Sequence, residues 1–480
     1  MADDFSRRNF LKKAAALSAG LAMTGLITNS SEVNAAPRPK AKFSTGDKVN
    51  LAGIGIAQQG GGIIKALYKS GLCNVVALCD TDMGSERTQE VIKMFPKAKR
   101  FKDFREMFDK MGNEIEAVSI GVPDHSHFPI TMAAMMLGKH VYVEKPLART
   151  FQECELLMAA EKKYGVVTQM GNQGHSGDNY YQFRALEEAG VIKDVTAITA
   201  HMNSPRRWHN WDPKMQSYPA AEPIPSTLDW DTWLGVVHQH DYQKDFVVGQ
   251  WRCWYDFGMG ALGDWGAHII DTAHEFLELG LPYEVNPTYL KDHNPFFYPM
   301  STTLEFKFPE RGERPPVVIT WKDGLDNLPD LPAGYGKSTV AGDIPAVNGG
   351  ELQKMKINPG KEIYTKSGLV FKGASHSTKL SLVQNAEGQA YGPLSEEWEH
   401  DMPNHYESFL LACQGKGKTN SPFSISGPLS QVFCLGVMAQ RFGTKIIFDR
   451  EKKMITNNPL ADIMLRGDAP RPGWEQYYKI

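Results

Sequence analysis

Residues 49–80 constrain the fold more tightly than any other stretch of the chain. A continuous apolar run, VNLAGIGI (49–56), breaks at a glycine-containing turn and is followed by IIKALYKSG (63–71), whose apolar residues have helical spacing. NVVALCD (74–80) is then a second β-branched run that ends in an acid. Two such strands joined through a helix form a βαβ unit. The alternation continues with strand EAVSIGVP (116–123), helix PITMAAMMLGK (129–139), strand HVYVEKP (140–146), helix FQECELLMAAEKKYG (151–165) and strand VVTQMG (166–171). Strands alternating with helices predict an α/β fold, a doubly wound parallel sheet of Rossmann type over residues 48–170. Beyond it, β-rich runs such as TTLEFKF (302–308) and PVVITW (316–321) predict an α+β domain over 171–450 with an open, mostly antiparallel sheet. Residues 330–400, rich in Gly, Pro and Lys, read as an irregular insertion beside the site, and 451–480 as a C-terminal tail.

The turn after the first strand runs Gly55-Ile56-Ala57-Gln58-Gln59-Gly60, a G-x-A-x-x-G version of the dinucleotide fingerprint. Ala57 stands where a glycine normally lets the backbone approach a pyrophosphate, so its methyl predicts a displaced cofactor or a small backbone shift. Asp80 ends the second strand, where a carboxylate accepts from a ribose hydroxyl and repels a 2′-phosphate. The expected cofactor is therefore NAD, with NADP disfavoured. A turn that merely connects, with Asp80 as a strand-end cap, fits the same letters.

Ligands of open α/β sheets bind beyond the carboxyl ends of the strands. That places Pro123, Asp124, His125 and His127 after one strand, Glu144 and Lys145 after the next, and Asn172, Gln173 and His175 after the last. A lysine there can stabilise negative charge developing on a hydroxyl oxygen. Read singly, Glu144-Lys145-Pro146 also fits an exposed ion pair, and the 172–175 stretch a polar turn. The H-x-H at 125–127 lacks a third distant ligand, so no metal site is expected.

Three collinear features, the glycine turn with Asp80, EKPL at 144–147 and Gly263-Asp264-Trp265-Gly266-Ala267-His268, resemble the glucose–fructose oxidoreductase / inositol dehydrogenase / rhizopine-catabolism (Gfo/Idh/MocA) family. The stretch from LDWDTWLG (228–235) to WRCWYDFGMGALGDWGAHIID (251–271), with the helix near 405–429, resembles its bacterial subgroup with a long C-terminal region. The resemblance implies that His268 is the general base for a sugar hydroxyl, that Asp264 binds or orients the ring, and that Lys145 stabilises the alkoxide. Asp264 and His268 are four residues apart and share a helix face. The plain alternatives are a helix N-cap at Asp264 and a core histidine at His268. His274, six residues on, is expected on the helix surface. The resemblance further implies that the open sheet packs on a second copy, giving a homo-oligomer.

Between 200 and 260 lie Trp208, Trp211, Trp230, Trp233, Trp251 and Trp254, interleaved with Arg206, Arg207, His209 and Arg252. Aromatic faces stack on the apolar side of a pyranose while arginines bind hydroxyls, so a carbohydrate subsite is expected. It draws on Arg206, Trp208, Trp251, Arg252 and Tyr255, with His175, and most of the other tryptophans belong to the core.

The N-terminus carries an address. Ser6-Arg7-Arg8-Asn9-Phe10-Leu11-Lys12 is a twin-arginine pattern, residues 14–27 form a weakly apolar run too short to span a bilayer, and Val33-Asn34-Ala35 offers a cleavage site. Residues 1–36 thus predict a signal peptide read by the twin-arginine export machinery, residues 37–47 a linker, and a soluble, periplasmic or otherwise exported protein without a membrane anchor. The 52 basic and 55 acidic residues leave no broad positive field, which argues against nucleic acid. Six scattered cysteines in apolar runs read as buried thiols. Free nicotinamide cofactor is not expected outside the cytoplasm, so NAD should stay tightly bound. This favours an exported oxidoreductase acting on a hydroxyl or keto carbon of a sugar, glycoside or cyclitol. The alternatives are an NAD-dependent glycoside hydrolase working by oxidation, elimination, addition and reduction, and a cofactor-bearing binding protein without catalysis. The hydrolase needs an additional acid, for which Tyr255, Asp256 and His209 are candidates.

Overall fold

The structure, a computed structural model, describes residues 48–203, 211–247, 249–336, 357–376, 378–395, 398 and 402–480. The twin-arginine segment, Arg206, Arg207, Trp208 and His209 lie outside the described residues.

The first sheet contains β1 (Val49–Ile54), β2 (Cys73–Cys79), β3 (Lys99–Phe101), β4 (Ala117–Ile120), β5 (His140–Val143) and β6 (Thr168–Met170). Their order is β3-β2-β1-β4-β5-β6, with every pairing parallel. The strand order reverses between β1 and β4, and such a switch point opens a crevice at the strands' carboxyl ends. Helix Gln58–Lys69 buries Ile63, Ile64 and Leu67 against one face of this sheet, in the helical spacing visible in the sequence. Helix Phe151–Tyr164 starts at a capping box made by Thr150 and Glu153 and stops at Gly165, whose φ of 61° is the left-handed conformation that ends helices.

Helix Asp124–Met136 begins five residues earlier than its apolar pattern indicates. Asp124, His125 and His127 therefore sit in its first turn rather than in a loop. All thirteen of its residues are buried, so polar side chains in that turn have to find partners inside the protein.

The second sheet is mixed and larger. It holds β7 (Val195–Met202), β8 (Glu284–Lys291), β9 (Ser301–Phe308), β10 (Val317–Asp323), β11 (Gly360–Thr365), β12 (Val370–Ala374), β13 (Ser381–Leu382), β14 (Ile446–Asp449) and β15 (Met454–Ile455). The order is β13-β12-β11-β7-β10-β9-β8-β14-β15; β7 and β10 run parallel, and the other pairs are antiparallel. The expectation of an irregular lobe at 330–400 needs correction, because β11 to β13 extend this sheet directly from β7. GKEIYT hides a strand from hydropathy by burying both Lys361 and Glu362. One apolar core joins the two sheets, running from Val118 and Val141 through Trp265 and Phe433 to Trp321 and Ile363. The six cysteines are free and buried. Among the described residues, no helix is long and apolar enough to cross a membrane.

Candidate active site

A cavity of about 460 Å³ opens at the switch point, between the carboxyl ends of the first sheet and helix Gly260–Ile269. At one end lies the glycine turn. Gly55 has φ of 73°, and a side chain there would sit 2.5 Å from the Gly121 carbonyl oxygen, so β1 and β4 meet only because this residue is glycine. Gly60 lies behind the cavity wall, where a Cβ would come within 2.0 Å of the Gly55 carbonyl oxygen. Ala57 has an extended backbone with φ of −91°, which a methyl tolerates, and the left-handed conformation falls on Gln58 at φ 46° instead. The departure from the glycine fingerprint is thus absorbed one residue later, at a cost of about 1–2 kcal/mol.

Asp80 fastens this turn: its Oδ2 accepts from Ile56 N–H at 2.9 Å and its Oδ1 from Asp82 N–H at 2.9 Å. Burial raises its carboxyl above the ordinary value, and those backbone donors oppose the rise. Helix Gln58–Lys69 has no side-chain cap and no acid in its first turn, which leaves the positive end of its dipole for an anion. Gly55, Ala57, Gln58, Gln59 and Asp80 all line the cavity. An uncapped helix start, a close-approach glycine and a strand-end acid fit a dinucleotide, with the pyrophosphate at the turn and a ribose near Asp80.

At the other end, Lys145 donates to Asp264 Oδ1 at 2.8 Å and to the Asp264 carbonyl at 3.0 Å. Burial pushes the lysine amine below its ordinary value; Asp264 opposes that, and Arg252 reinforces it. Glu144, also on the wall, is pushed up to about 7 by burial, against the pull of Lys145 and of Gln173, which donates to its Oε1 at 3.1 Å. Asp264 and His268 share the cavity-facing side of helix Gly260–Ile269. This helix can pack closely because Gly266 faces Phe433, where a Cβ would meet the ring at 2.7 Å. Arg252 bridges two acids, donating through Nη1 to Asp124 at 2.9 and 3.0 Å and placing Nε 3.5 Å from Asp264. Its guanidinium lies 4.3 Å from the Trp251 ring centroid.

Of the residues singled out in the sequence, Gly55, Ala57, Gln58, Gln59, Asp80, Pro123, His127, Glu144, Lys145, Gln173, Trp233, Trp251, Arg252, Asp264 and His268 line the cavity. His127 does so with both ring nitrogens near carbonyls, of Pro146 at 2.7 Å and Val122 at 3.0 Å. Others stand behind the wall. His125 lies between the Trp233 and Phe257 carbonyls at 2.7 and 3.2 Å, and burial drives its ring down to about 3, making it a neutral clamp. Asp124 is used up by Arg252 and Met259 N–H. Asn172 donates to Asp271 at 3.1 Å. His175 is wedged between Asp271 at 2.8 Å and Glu275 at 2.7 Å. Tyr255 is buried against Tyr298, and Asp256 holds Tyr218 and His240. Neither lines the cavity. His274 is buried against the Gly280 carbonyl rather than exposed. Among the tryptophans, Trp230 and Trp254 belong to a buried aromatic cluster, as expected of most of them.

Among the wall residues that carried no sequence signal are Lys102, His376 and Tyr406. His376 follows β12, has φ of 58°, and stacks on His268 with ring centroids 3.9 Å apart. A non-glycine residue in that conformation costs on the order of 1–3 kcal/mol.

Two family profiles match collinearly: an oxidoreductase family, NAD-binding Rossmann fold, over residues 48–172, and the C-terminal alpha/beta domain of that oxidoreductase family over 182–286. The chain belongs to the Gfo/Idh/MocA family. Among curated relatives of this Gfo/Idh/MocA chain, glycosyl hydrolase family 109 protein 1 of Shewanella sp. (strain ANA-3) is 29% identical over 42% of this chain and 47% of its own length. Alpha-N-acetylgalactosaminidase of Shewanella oneidensis is 28% identical over 32% of this chain and 37% of its own. The matched region thus spans about half or less of these relatives. Aldose-aldose oxidoreductase from Caulobacter crescentus, complexed with glycerol, shares the fold with a TM-score of 0.55 at 14% identity, over 84% of this chain and 100% of that one.

Proposed function

We propose that this chain is an exported oxidoreductase acting on a hydroxyl or keto carbon of a sugar, glycoside or cyclitol, with NAD held tightly at the glycine turn. One observation carries the reading: Lys145, Asp264 and His268 meet in the cavity that also holds the dinucleotide cradle. When bound, NAD supplies the hydride acceptor and donor. The imidazole of His268 takes the hydroxyl proton on oxidation and returns it on reduction. The Lys145 ammonium, oriented by Asp264, stabilises the charge that develops on the same oxygen. Trp251 offers an apolar face for a pyranose, and Arg252 a donor beside it. The twin-arginine pattern supports export, and export supports a retained cofactor. The open second sheet supports a homo-oligomer.

The test is to purify the protein without added cofactor, denature it and assay the released NAD and NADP, while following native absorbance in the reduced-nicotinamide band as sugars are added. Stoichiometric NAD and a band that responds to sugars are expected; no nucleotide and no binding on titration would overturn the reading in favour of a binding protein. Lys145→Ala should lower kcat about 10²- to 10³-fold in the same absorbance assay. The glycosyl hydrolase names of the curated relatives favour a second reading, an NAD-dependent glycosidase. Product analysis separates the two, because a glycosidase frees the aglycone without net cofactor reduction.

A further inference from the structure

His376 reaches the cavity from the second sheet, and its position is set at several points. Its N–H donates to the His268 carbonyl at 3.0 Å, its carbonyl accepts from Asn179 at 3.3 Å, and its Nδ1 lies 2.8 Å from Ser375 Oγ. Gly174 faces its backbone so closely that a Cβ there would sit 2.9 Å from the His376 carbonyl carbon. The Trp265 ring meets it edge-on at 5.5 Å. The result is an imidazole lying on the His268 imidazole, 3.9 Å away and only 17° from parallel, with both rings buried.

Two imidazoles so close, both buried, cannot both be cations. The surrounding charges sharpen this. Glu144 and Lys145 face the site from the end of β5, His127 from helix Asp124–Met136, Arg252 from the turn before helix Gly260–Ile269, Asp264 from that helix itself, and Tyr406 from helix His405–Cys413. Asp80 and Lys102 line its far end. Behind the wall stand Asp124, paired with Arg252, Asp271 and Glu275, paired with His175, and Lys361 of β11. Asp264 shares its charge between Lys145 and Arg252, so the helix face that carries His268 already holds a lysine ammonium. On His376, a protonated Nδ1 has the Ser375 hydroxyl oxygen as acceptor.

We propose that His376 is a positioning residue acting through His268. Its ring fixes the plane of the His268 ring, and the pair carries a single proton, on His376, so that His268 stays in the neutral form that accepts a hydroxyl proton. This rests on the reading of His268 as the base of the proposed reaction.

The test is an NMR titration of the His268 ring in the full-length protein, alongside pH profiles of kcat/KM, for the wild type, His376→Phe and His376→Ala. Phe keeps an aromatic face without the charge, so the His268 midpoint and the acid limb of kcat/KM should both rise by about one pH unit, with a smaller loss of plateau kcat than in His376→Ala. His376→Ala should raise the midpoint equally and also cost about tenfold or more in kcat at unchanged KM, because the ring plane is no longer fixed. A His268 midpoint unmoved in both variants overturns the proposal. The titration reads the pair without substrate, so failure of the wild type to act on sugars sinks the functional reading separately.

Discussion

His175 shows how a residue singled out for one role takes another. Burial lowers the basicity of its ring, but Asp271 and Glu275 outweigh that and raise it from 6.5 to about 10. The folded protein therefore keeps a proton that the unfolded chain has lost between those two values. The stabilisation is fully present below pH 6.5 and disappears as pH rises through 10. His175→Gln should remove this dependence: between pH 7 and pH 9 the wild type should lose about 2 kcal/mol more stability than the variant by urea unfolding. Equal losses would mean that the ring is neutral between its two acids. At this scale the sequence was informative about Lys145, Asp264, His268, Trp251 and Arg252, which the fold brings to one cavity. It was poor for Asp124, His125, Asn172, His175 and Tyr255. Asp124, His125 and Asn172 stand next to wall residues in sequence, but their side chains turn towards partners as far as 135 positions away, such as Met259 for Asp124.

The glycine turn is legible as an element because strand, turn and helix follow each other locally. Gly60→Ala should cost about 2–3 kcal/mol in thermal unfolding and lower the retained nucleotide, since the added methyl would meet the Gly55 carbonyl oxygen at 2.0 Å, where only backbone can yield. An unchanged melting temperature would show that the turn relaxes freely. Helix Asp124–Met136 and β11 were less legible for one shared reason. Both bury polar or charged side chains, so the alternation of apolar and polar residues that marks a half-exposed element is missing. In the helix these groups are satisfied by carbonyls and by Arg252, and several of those partners, such as the Trp233 carbonyl on His125 and Arg252 on Asp124, lie more than a hundred residues away.

Across the whole molecule, the two sheets share one apolar core, and the Arg252–Asp124 pair ties the second domain to the first beside the cavity. Both side chains are buried, so Arg252→Ala would strand a carboxylate and should lower global stability by about 3–5 kcal/mol in chemical denaturation. A loss below about 1 kcal/mol would show that water replaces the guanidinium. Hydrophobic periodicity and turn chemistry are local properties, so the sequence alone determined the alternating α/β domain, its dinucleotide turn, the strand-end lysine and the Asp264–His268 helix face. Tertiary structure alone decided the nine-stranded order of the second sheet, which flanking polar residues face the cavity, and the placement of His376 on His268. Those outcomes depend on contacts between segments a hundred or more residues apart, formed by packing and buried hydrogen bonds that no short window of sequence contains.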